Sequence, residues 1–212
     1  MLKVDHLTIG YDGRELVRDI SFELAPGECV LLAGPNGTGK TTLLRALAAE
    51  GVVLIPTNIP KVKGFTVEAF VRTGCYRESD WRGRVSKEVE RRMEEALKML
   101  GIEELRKRDI STLSDGEFQK ACLATGLTRK AEVLLLDEPT AHLDVENRID
   151  VLRTLREVAR KTGTAVLFSS HDLHDALQVA DRVFVLTRDG RFLASAGTDV
   201  LRAAFPALAN LR

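Results

Sequence analysis

Short, uninterrupted apolar runs recur along the chain and alternate with segments that have helical spacing. The runs at residues 29–33, 133–136 and 165–169 lack the alternation of a half-exposed strand, so each predicts a strand buried on both faces. Residues 52–55 predict one more short strand. Helices are expected at residues 41–49, 145–161 and 172–179. Strands alternating in this way with helices are typical of an α/β protein.

Near both ends of the chain the pattern predicts hairpins instead. Residues 2–9 and 16–24 form one pair of strands, and residues 182–186 and 191–196 form another, each pair separated by an Asp-Gly turn signal. A last helix is expected from about Asp199.

The middle of the chain is helical in pattern. Residues 65–100 read as helical throughout, most clearly at 85–100, where Ser86 can cap the helix and Gly101 can end it. A further helix is expected from Asp115 to about Arg129. The sequence therefore predicts a helical block inserted into an α/β chain.

Composition narrows the class of protein without identifying a function. The 212 residues are 44% hydrophobic and 29% charged, and the 31 basic side chains balance 31 acidic ones. This zero net charge gives no sign of a nucleic-acid partner or of binding to an anionic membrane. The start of the chain lacks the apolar core of a signal peptide, and no run approaches 18 apolar residues, so we expect a protein that does not itself cross a membrane. Three well-separated cysteines fit reduced, packed thiols in a cytosol.

One stretch carries a recognisable phosphate-binding pattern. Between the strand at 29–33 and the following helix lies Gly34-Pro35-Asn36-Gly37-Thr38-Gly39-Lys40-Thr41-Thr42, which fits G-x-x-x-x-G-K-[ST]. Glycines allow the backbone N–H groups to surround an anion, and the helix adds the partial positive charge of its first turn. Lys40 can then reach the β- and γ-phosphates, and the Thr41 hydroxyl can hold Mg²⁺. The alternative is a glycine-rich turn with an incidental lysine.

Two acidic residues follow the strand at 133–136. Asp137 stands where a carboxylate can bind Mg²⁺ beside a phosphate loop. Because successive strand residues face opposite ways, Glu138 is expected to point elsewhere and to act on an attacking water. The alternative is a pair of surface acids at a strand end.

His171 follows the buried strand at 165–169 and so occupies another carboxyl edge of the sheet. An imidazole there can donate to a γ-phosphate and orient water. His171 and His174 also suggest a metal pair, but no further ligand at the usual spacing stands out, and a triphosphate site already explains His171.

Two weaker signals complete the set. Tyr11 lies on a turn, where its ring can stack on a planar ligand or pack against the protein. In Leu113-Ser114-Asp115-Gly116-Glu117, Ser114 predicts a helix cap and so a second helix start that can face an anion. Taken alone, that stretch is a common capping turn.

Together these stretches resemble the ATP-binding cassette ATPases, the nucleotide-binding subunits of ABC transporters. The matching motifs are Walker A (residues 34–42), the signature (113–117), Walker B (133–137) with its catalytic glutamate Glu138, the D-loop (141–144), the switch histidine His171 and the adenine-stacking aromatic Tyr11. They stand in the family's order and cover nearly the whole chain.

The resemblance implies an ABC-type P-loop NTPase fold with a mixed central sheet, a trimmed antiparallel β-subdomain and an inserted helical subdomain. Residues 1–212 would be a single ATPase domain, with a nucleotide-binding core at 1–56 and 131–212 and the helical subdomain at about 65–130.

It also implies the cofactors and partners. ATP and Mg²⁺ would be sandwiched between two copies, with Ser114 and Gly116 of one copy closing over the ATP held by the other. Lys40, Glu138 and His171 would be catalytic, and Thr41 and Asp137 would hold the metal. Permease subunits would keep the protein at the cytoplasmic face of the membrane, and the family allows for an external substrate-binding protein; no nucleic-acid partner is expected.

Within the family, the Leu-Ser-Asp-Gly-Glu signature and an arginine- and aromatic-rich segment after Gly64 resemble importers of iron-siderophore, haem or cobalamin complexes. Most cassettes have glycine where Asp115 stands. A carboxylate facing a phosphate would repel it, so we expect Asp115 to point away and to support the helix start.

Two departures from the family leave alternatives open. Thr57 stands at the position expected for the glutamine that contacts Mg²⁺ and relays to the permease, and Asn58 has an amide one place later; either can substitute, or neither. The stretch between Lys40 and Thr57 is too short for the usual hairpin, whether by natural deletion or because the chain is engineered or incomplete. Rival functions are a soluble cassette in DNA repair or translation and a degenerate, regulatory ATP-binding cassette.

Overall fold

The structure, a computed structural model, describes residues 1–82, 84–141 and 143–195. It begins with strands β1 (Leu2–Tyr11) and β2 (Arg14–Leu24), which form a two-stranded antiparallel sheet. Asp12 and Gly13 connect them with φ values of 49° and 75°, the left-handed geometry of a tight hairpin turn. The first predicted hairpin is therefore confirmed, and its strands run closer to the turn than the sequence indicated.

The pairing of β1 with β2 is irregular. Its register shifts at three points between residues 4 and 10. His6 and Asp19 have φ values of 48° and 58°, and the His6 backbone N–H donates to Ser21 Oγ at 2.9 Å. The Asp19 carboxylate hydrogen-bonds the His6 ring and raises the pKa of the imidazole. Such β-bulges bend and twist a pair of strands.

In the described residues, six strands form the central sheet. They are β3 (Cys29–Ala33), β4 (Val52–Ile55), β5 (Val133–Leu136), β6 (Ala165–Ser169), β7 (Arg182–Leu186) and β8 (Phe192–Ser195). Their spatial order is β4-β5-β6-β3-β7-β8, with β8 antiparallel and the others parallel. The observed bounds of β3 to β7 are the predicted ones, because each is an apolar run that ends at polar or turn residues.

The helices lie on both faces of this sheet. They are α1 (Lys40–Ala46), α2 (Val67–Arg72), α3 (Lys87–Met99), α4 (Asp115–Thr128), α5 (Val145–Thr162) and α6 (Leu173–Val179). As predicted, Ser86 caps α3, and Gly163 ends α5 with a φ of 73°. None of the helices in the described ranges combines the length and the apolar content that crossing a membrane requires. The helix expected from Asp199 and the strand residue Ala196 lie outside the described residues.

Two buried clusters cover the two faces of the sheet. On one face, α2 to α6 pack against side chains such as Leu31 of β3 and Leu134 of β5. On the other face, α1 and the β1–β2 hairpin pack against Leu32 and Leu135, the residues that follow Leu31 and Leu134 in the same strands. Consecutive residues of one strand thus serve opposite layers, which explains why these strands are apolar at every position.

The prediction of helix throughout residues 65–100 is wrong in its middle part. After α2 the chain makes a short 3₁₀ turn at Thr73–Glu78 and leaves helical geometry before α3. Asp80 stabilises the alternative, since its carboxylate accepts hydrogen bonds from the backbone N–H groups of Arg82 and Arg84, both at 2.9 Å. Such local side-chain-to-backbone bonds compete with helix formation.

The antiparallel part of the fold is trimmed, as the sequence predicted. Between α1 and β4 the chain spans residues 47–51, all of which the structure describes, and these residues form no strand. The antiparallel sheet in the described part of the chain is the β1–β2 pair alone.

Parallel strands bring the predicted site residues together. The carboxyl ends of β3, β4, β5 and β6 lie at one edge of the sheet, and they lead into the phosphate loop (residues 34–42), Thr57, Asp137 and His171, respectively. In open α/β sheets ligands bind at this edge.

Candidate functional site

The phosphate loop leaves β3 and enters α1. Gly37 and Gly39 have φ values of 82° and 100°, a region that residues with side chains rarely occupy. A Cβ on Gly34 would lie 2.6 Å from the Leu186 carbonyl oxygen, so only glycine fits there. No side chain caps the start of α1, and its first turn has no acidic residue. The loop backbone is therefore free to receive an anion.

The Lys40 side chain folds back across the inside of the phosphate loop and bonds to the residues that begin it. Its side chain is 8% exposed, and Nζ donates to the carbonyl oxygens of Gly34 at 2.8 Å and Pro35 at 3.3 Å. Burial lowers the pKa of the Lys40 ammonium, while the carboxylates of Glu138 and Asp137 oppose that effect. This cation thus lacks full solvation, which favours binding of an anion beside it.

Asp137 comes directly after β5 and is 7% exposed. Its carboxylate accepts hydrogen bonds from Thr41 Oγ1 at 2.7 Å and from Ser169 Oγ at 2.8 Å. The adjacent Thr41 and Asp137 oxygens are hard donors, and Mg²⁺ is commonly held by one or two such protein groups together with water and phosphate oxygens. The donor set therefore fits Mg²⁺.

Glu138 stands at a bend in the chain. It lies beyond the end of β5 with a φ of 49°, so strand alternation does not decide where its side chain points. Asp137 and Glu138 both line one cavity, and their carboxylates have different partners there: Thr41 and Ser169 for Asp137, and His171 for Glu138. The Glu138 backbone N–H donates to Ser169 Oγ at 2.8 Å, which fixes this bend in the chain.

His171 contacts Glu138. Its Nδ1 lies 2.6 Å from Glu138 Oε2, and its backbone N–H donates to the same oxygen at 3.3 Å. The histidine side chain is 65% exposed, whereas that of Glu138 is 18% exposed. The imidazole is thus placed to orient the carboxylate and remains accessible from solvent.

The candidate site is a cavity of about 390 Å³ beside the phosphate loop. Its lining residues are Tyr11, Leu16, Asn36, Gly37, Gly39, Lys40, Thr41, Thr42, Thr57, Asp137 and Glu138. Tyr11, the last residue of β1, is 57% exposed, so its ring is available to a ligand rather than packed in the core. The cavity thus joins a phosphate-binding end, two carboxylates and an aromatic ring.

The structure separates the two candidates for the missing glutamine. Thr57 Oγ1 donates to the Asp137 carbonyl oxygen at 2.9 Å and lines the cavity. Asn58 lines the neighbouring groove, between residues 56–61 and α4. Thr57 therefore contacts the bend at Asp137 and Glu138, called here the carboxylate turn.

Ser169 belongs to the site although the sequence did not predict it. Its hydroxyl is fully buried and joins both acidic residues, donating to Asp137 and accepting from the Glu138 backbone. The only signal was a hydroxyl residue at the end of an otherwise apolar strand.

Ser114 and Gly116 lie away from this cavity. Ser114 caps α4 in a reciprocal arrangement with Glu117, at 3.2 Å and 2.8 Å. A Cβ on Gly116 would lie 2.8 Å from Asn147 Oδ1, so the start of α4 packs closely on α5. Neither Ser114 nor Gly116 lines the cavity beside the phosphate loop. His142 of the D-loop-like stretch lies outside the described residues.

The chain is similar in sequence to known proteins. A family model described as ABC transporter matches residues 17–141. The chain is 34% identical to the zinc import ATP-binding protein ZnuC of Jannaschia sp. (strain CCS1), over 97% of this chain and 86% of that protein. It is 30% identical to the achromobactin transport ATP-binding protein CbrD of Dickeya dadantii (strain 3937), over 93% and 83%.

Solved structures show the same fold. A protein described as a metal-chelate type ABC transporter, in an inward-facing conformation, superposes with a TM-score of 0.84 at 24% identity, covering 96% of this chain and 88% of the other. A nucleotide-free ATP-binding cassette from an ABC transporter gives a TM-score of 0.81 at 18% identity, covering 96% and 94%.

Proposed function

This chain belongs to the ABC transporter family as an ATP-binding subunit of importers and an ATPase, and on that premise we propose how it uses ATP. Two copies enclose ATP, hydrolyse it and drive a permease. The observation that carries this proposal is the convergence of Lys40, Thr41, Asp137 and Glu138 on one cavity at the carboxyl edge of the sheet.

The charged and polar groups at the phosphate end of the cavity divide the work. The backbone of residues 34–42 binds the phosphates, and Lys40 turns from the carbonyl groups of the loop to the β- and γ-phosphates. Thr41 and Asp137 would hold Mg²⁺, and a bound Mg²⁺ would supply charge to offset that developing on the phosphates. Glu138 accepts a proton from the attacking water, and His171 keeps its carboxylate in place.

A second copy completes the site. Ser114 and Gly116 begin a 14-residue helix whose first turn is capped, yet they do not line the cavity of their own chain. We infer that they meet the γ-phosphate held by the other copy. Two identical sites then form by a symmetric contact, the usual arrangement in homodimers.

The division of the chain follows from these tasks. Residues 1–56 and 131–212 form the nucleotide-binding core of one ATPase domain, and residues of about 65–130 form the helical subdomain that transmits closure. Permease subunits hold the protein at the cytoplasmic face of the membrane, and an external substrate-binding protein delivers the cargo.

For the cargo we propose an iron-siderophore, haem or cobalamin-type complex. The signature with aspartate at position 115 supports this class, as do relatives named for achromobactin and petrobactin. Other relatives are named for zinc and for aliphatic sulfonates. Transport assays with the chain's own permease, using radiolabelled ferric siderophore, cobalamin and zinc in turn, test the choice; uptake of zinc alone contradicts it.

The ATPase proposal is tested on the purified chain. We expect Mg²⁺-dependent ATP hydrolysis whose rate rises more steeply than linearly with protein concentration, because the active species is a dimer. ATP binding without hydrolysis, alone and with the permease, would instead identify a regulatory cassette.

Replacing Tyr11 with alanine is expected to weaken ATP binding about tenfold, the magnitude of one lost stacking contact. Binding of inorganic tripolyphosphate, which has no base, should change less than twofold. Titration calorimetry on both ligands measures the difference. Tyr76→Ala, at a ring that is 78% exposed away from the cavity, is the matched control. Equal losses for both ligands would contradict a stacking role.

We propose that the permease docks on the groove of residues 57–84, where Trp81 is 84% exposed and the Arg82 guanidinium lies 4.3 Å from its ring centroid. Arg77→Glu and Arg82→Glu are therefore expected to weaken permease binding about tenfold or more through charge reversal. Basal ATPase activity of the isolated chain should remain within about twofold. Arg188→Glu, in the exposed β7–β8 turn, is the control, and unchanged assembly of both groove variants counts against this surface.

A further inference from the structure

Lys61 makes three contacts with the start of α4. Its Nζ donates to the Leu113 carbonyl oxygen at 2.8 Å and pairs with Asp115 Oδ1 at 2.6 Å. It also lies 5.4 Å from the centroid of the Phe118 ring. The Lys61 side chain is only 26% exposed, so this lysine is held against α4 rather than extended into water.

Asp115 places a negative charge where the proposed dimer needs an anion to bind. It is the first residue of α4, between Ser114 and Gly116, and its side chain is 63% exposed. A carboxylate in a first turn stabilises the helix itself. Towards a phosphate, however, the same charge is repulsive, and such like-charge contacts are costly at an interface.

Lys61 offsets the repulsion between Asp115 and a phosphate and also holds the backbone at the start of α4. Its ammonium pairs with the Asp115 carboxylate, with Nζ 2.6 Å from Oδ1, and so neutralises the charge beside Ser114 and Gly116. The bond to the Leu113 carbonyl fixes the backbone immediately before the Ser114 cap. Asp115 thus has a specific partner in a segment distant along the chain, which the sequence did not reveal.

The same loop reaches the ATP site of its own chain. Four residues before Lys61, Thr57 donates to the Asp137 carbonyl oxygen at 2.9 Å. Residues 57–61 therefore connect the carboxylate turn of one site with the helix start that this copy offers to the other site.

We propose that Lys61 is a positioning residue for ATP-driven closure: by pairing with Asp115 it makes the start of α4 able to meet the triphosphate held by a second copy. The inference rests on the proposed function, in which two copies enclose ATP. Lys61 acts through Asp115 and the α4 backbone and does not itself touch the nucleotide.

The experiment measures ATP-dependent dimerisation of the full chain by sedimentation velocity. All variants carry Glu138→Gln, so that ATP is not consumed. Lys61→Met is expected to raise the dimer dissociation constant about tenfold, because Asp115 becomes an unpaired charge at the interface. ATP affinity of the monomer should stay within about twofold. Lys63→Met, which removes an exposed lysine from the same loop, is the matched control and should behave like the parent.

Rescue separates charge neutralisation from simple loop support. Asp115→Asn in the Lys61→Met background is expected to restore dimerisation to within about threefold of the parent, since the repulsive charge is gone. Raising ionic strength from about 0.05 to about 0.5 M should narrow the deficit of Lys61→Met, because salt screens exposed charges. A merely structural lysine would give neither response.

The outcomes are distinct. A Lys61→Met variant that dimerises like Lys63→Met overturns the inference, and so does a double variant that stays as weak as Lys61→Met. Should the parent fail to dimerise on ATP, the proposed function itself is overturned. Normal dimerisation of the parent with selective, rescuable loss in Lys61→Met supports both.

Discussion

Replacing Glu138 with glutamine is expected to lower ATP hydrolysis about 10²- to 10⁴-fold, the usual contribution of a general base, while ATP still binds. Glutamine keeps the size of the side chain and can still accept a hydrogen bond, but it cannot take a proton from water. The phosphate loop, Lys40 and Asp137 are unchanged. ATP-bound dimers should therefore accumulate, since the step that reopens them is blocked.

Steady-state phosphate release measures the rate of hydrolysis, and sedimentation in the presence of ATP measures the accumulation of dimers. Glu157→Gln, at an exposed position of α5 where Glu157 pairs with Lys161, is the matched control and should hydrolyse ATP normally. Turnover of Glu138→Gln at the wild-type rate would remove Glu138 from the proposed role. Loss of ATP binding in Glu138→Gln would instead show that Glu138 contributes to binding ATP rather than to hydrolysis alone.

Replacing Lys40 with methionine is expected to weaken ATP binding about 10²-fold or more, because a buried cation beside the phosphates is lost. The side chain is 8% exposed, and burial lowers the pKa of its ammonium, so without an anion the charge is costly to hold. Binding of ATP relieves that cost in the wild-type chain. Methionine has similar length but cannot provide this contribution.

Fluorescent-nucleotide titration measures the affinity, and thermal unfolding checks that the variant is folded. Arg45→Met, on the exposed side of the same helix, is the control and should change ATP affinity less than about threefold. A Lys40→Met affinity within that same range would contradict the assignment of Lys40 to the phosphates.

The parts of the fold that the sequence predicted best are those decided by local pattern. Strands β3 to β7 are bounded by abrupt changes from apolar to polar residues, and α3 and α5 by a capping serine and a terminal glycine. The segment between α2 and α3 was mispredicted because Asp80 closes a turn on the backbone of Arg82 and Arg84, which helical periodicity does not reveal.

In the candidate site, too, residues in local motifs were predicted, whereas those that depend on long-range contacts were not. Of the phosphate-loop residues named from the sequence, Asn36, Gly37 and residues 39–42 line one cavity, whereas Gly34, Pro35 and Thr38 do not line it. Ser169, the left-handed bend at Glu138 and the Lys61–Asp115 pair could not be predicted, because each depends on contacts between segments distant in the chain. Spacing along the sequence holds no information about which side chain meets which across such distances.

The bulges in the β1–β2 hairpin bear on solubility. Within the described residues, each of these strands has a single hydrogen-bonded neighbour, so each leaves one edge open. An open edge is a template on which strands of other molecules can add, the first step towards aggregation. The register shifts and the left-handed backbone at His6 and Asp19 break that template into short pieces, and the exposed charges of Asp5 and Asp19 disfavour an incoming apolar strand. The irregularity of the hairpin thus disfavours edge-to-edge association of this two-stranded sheet.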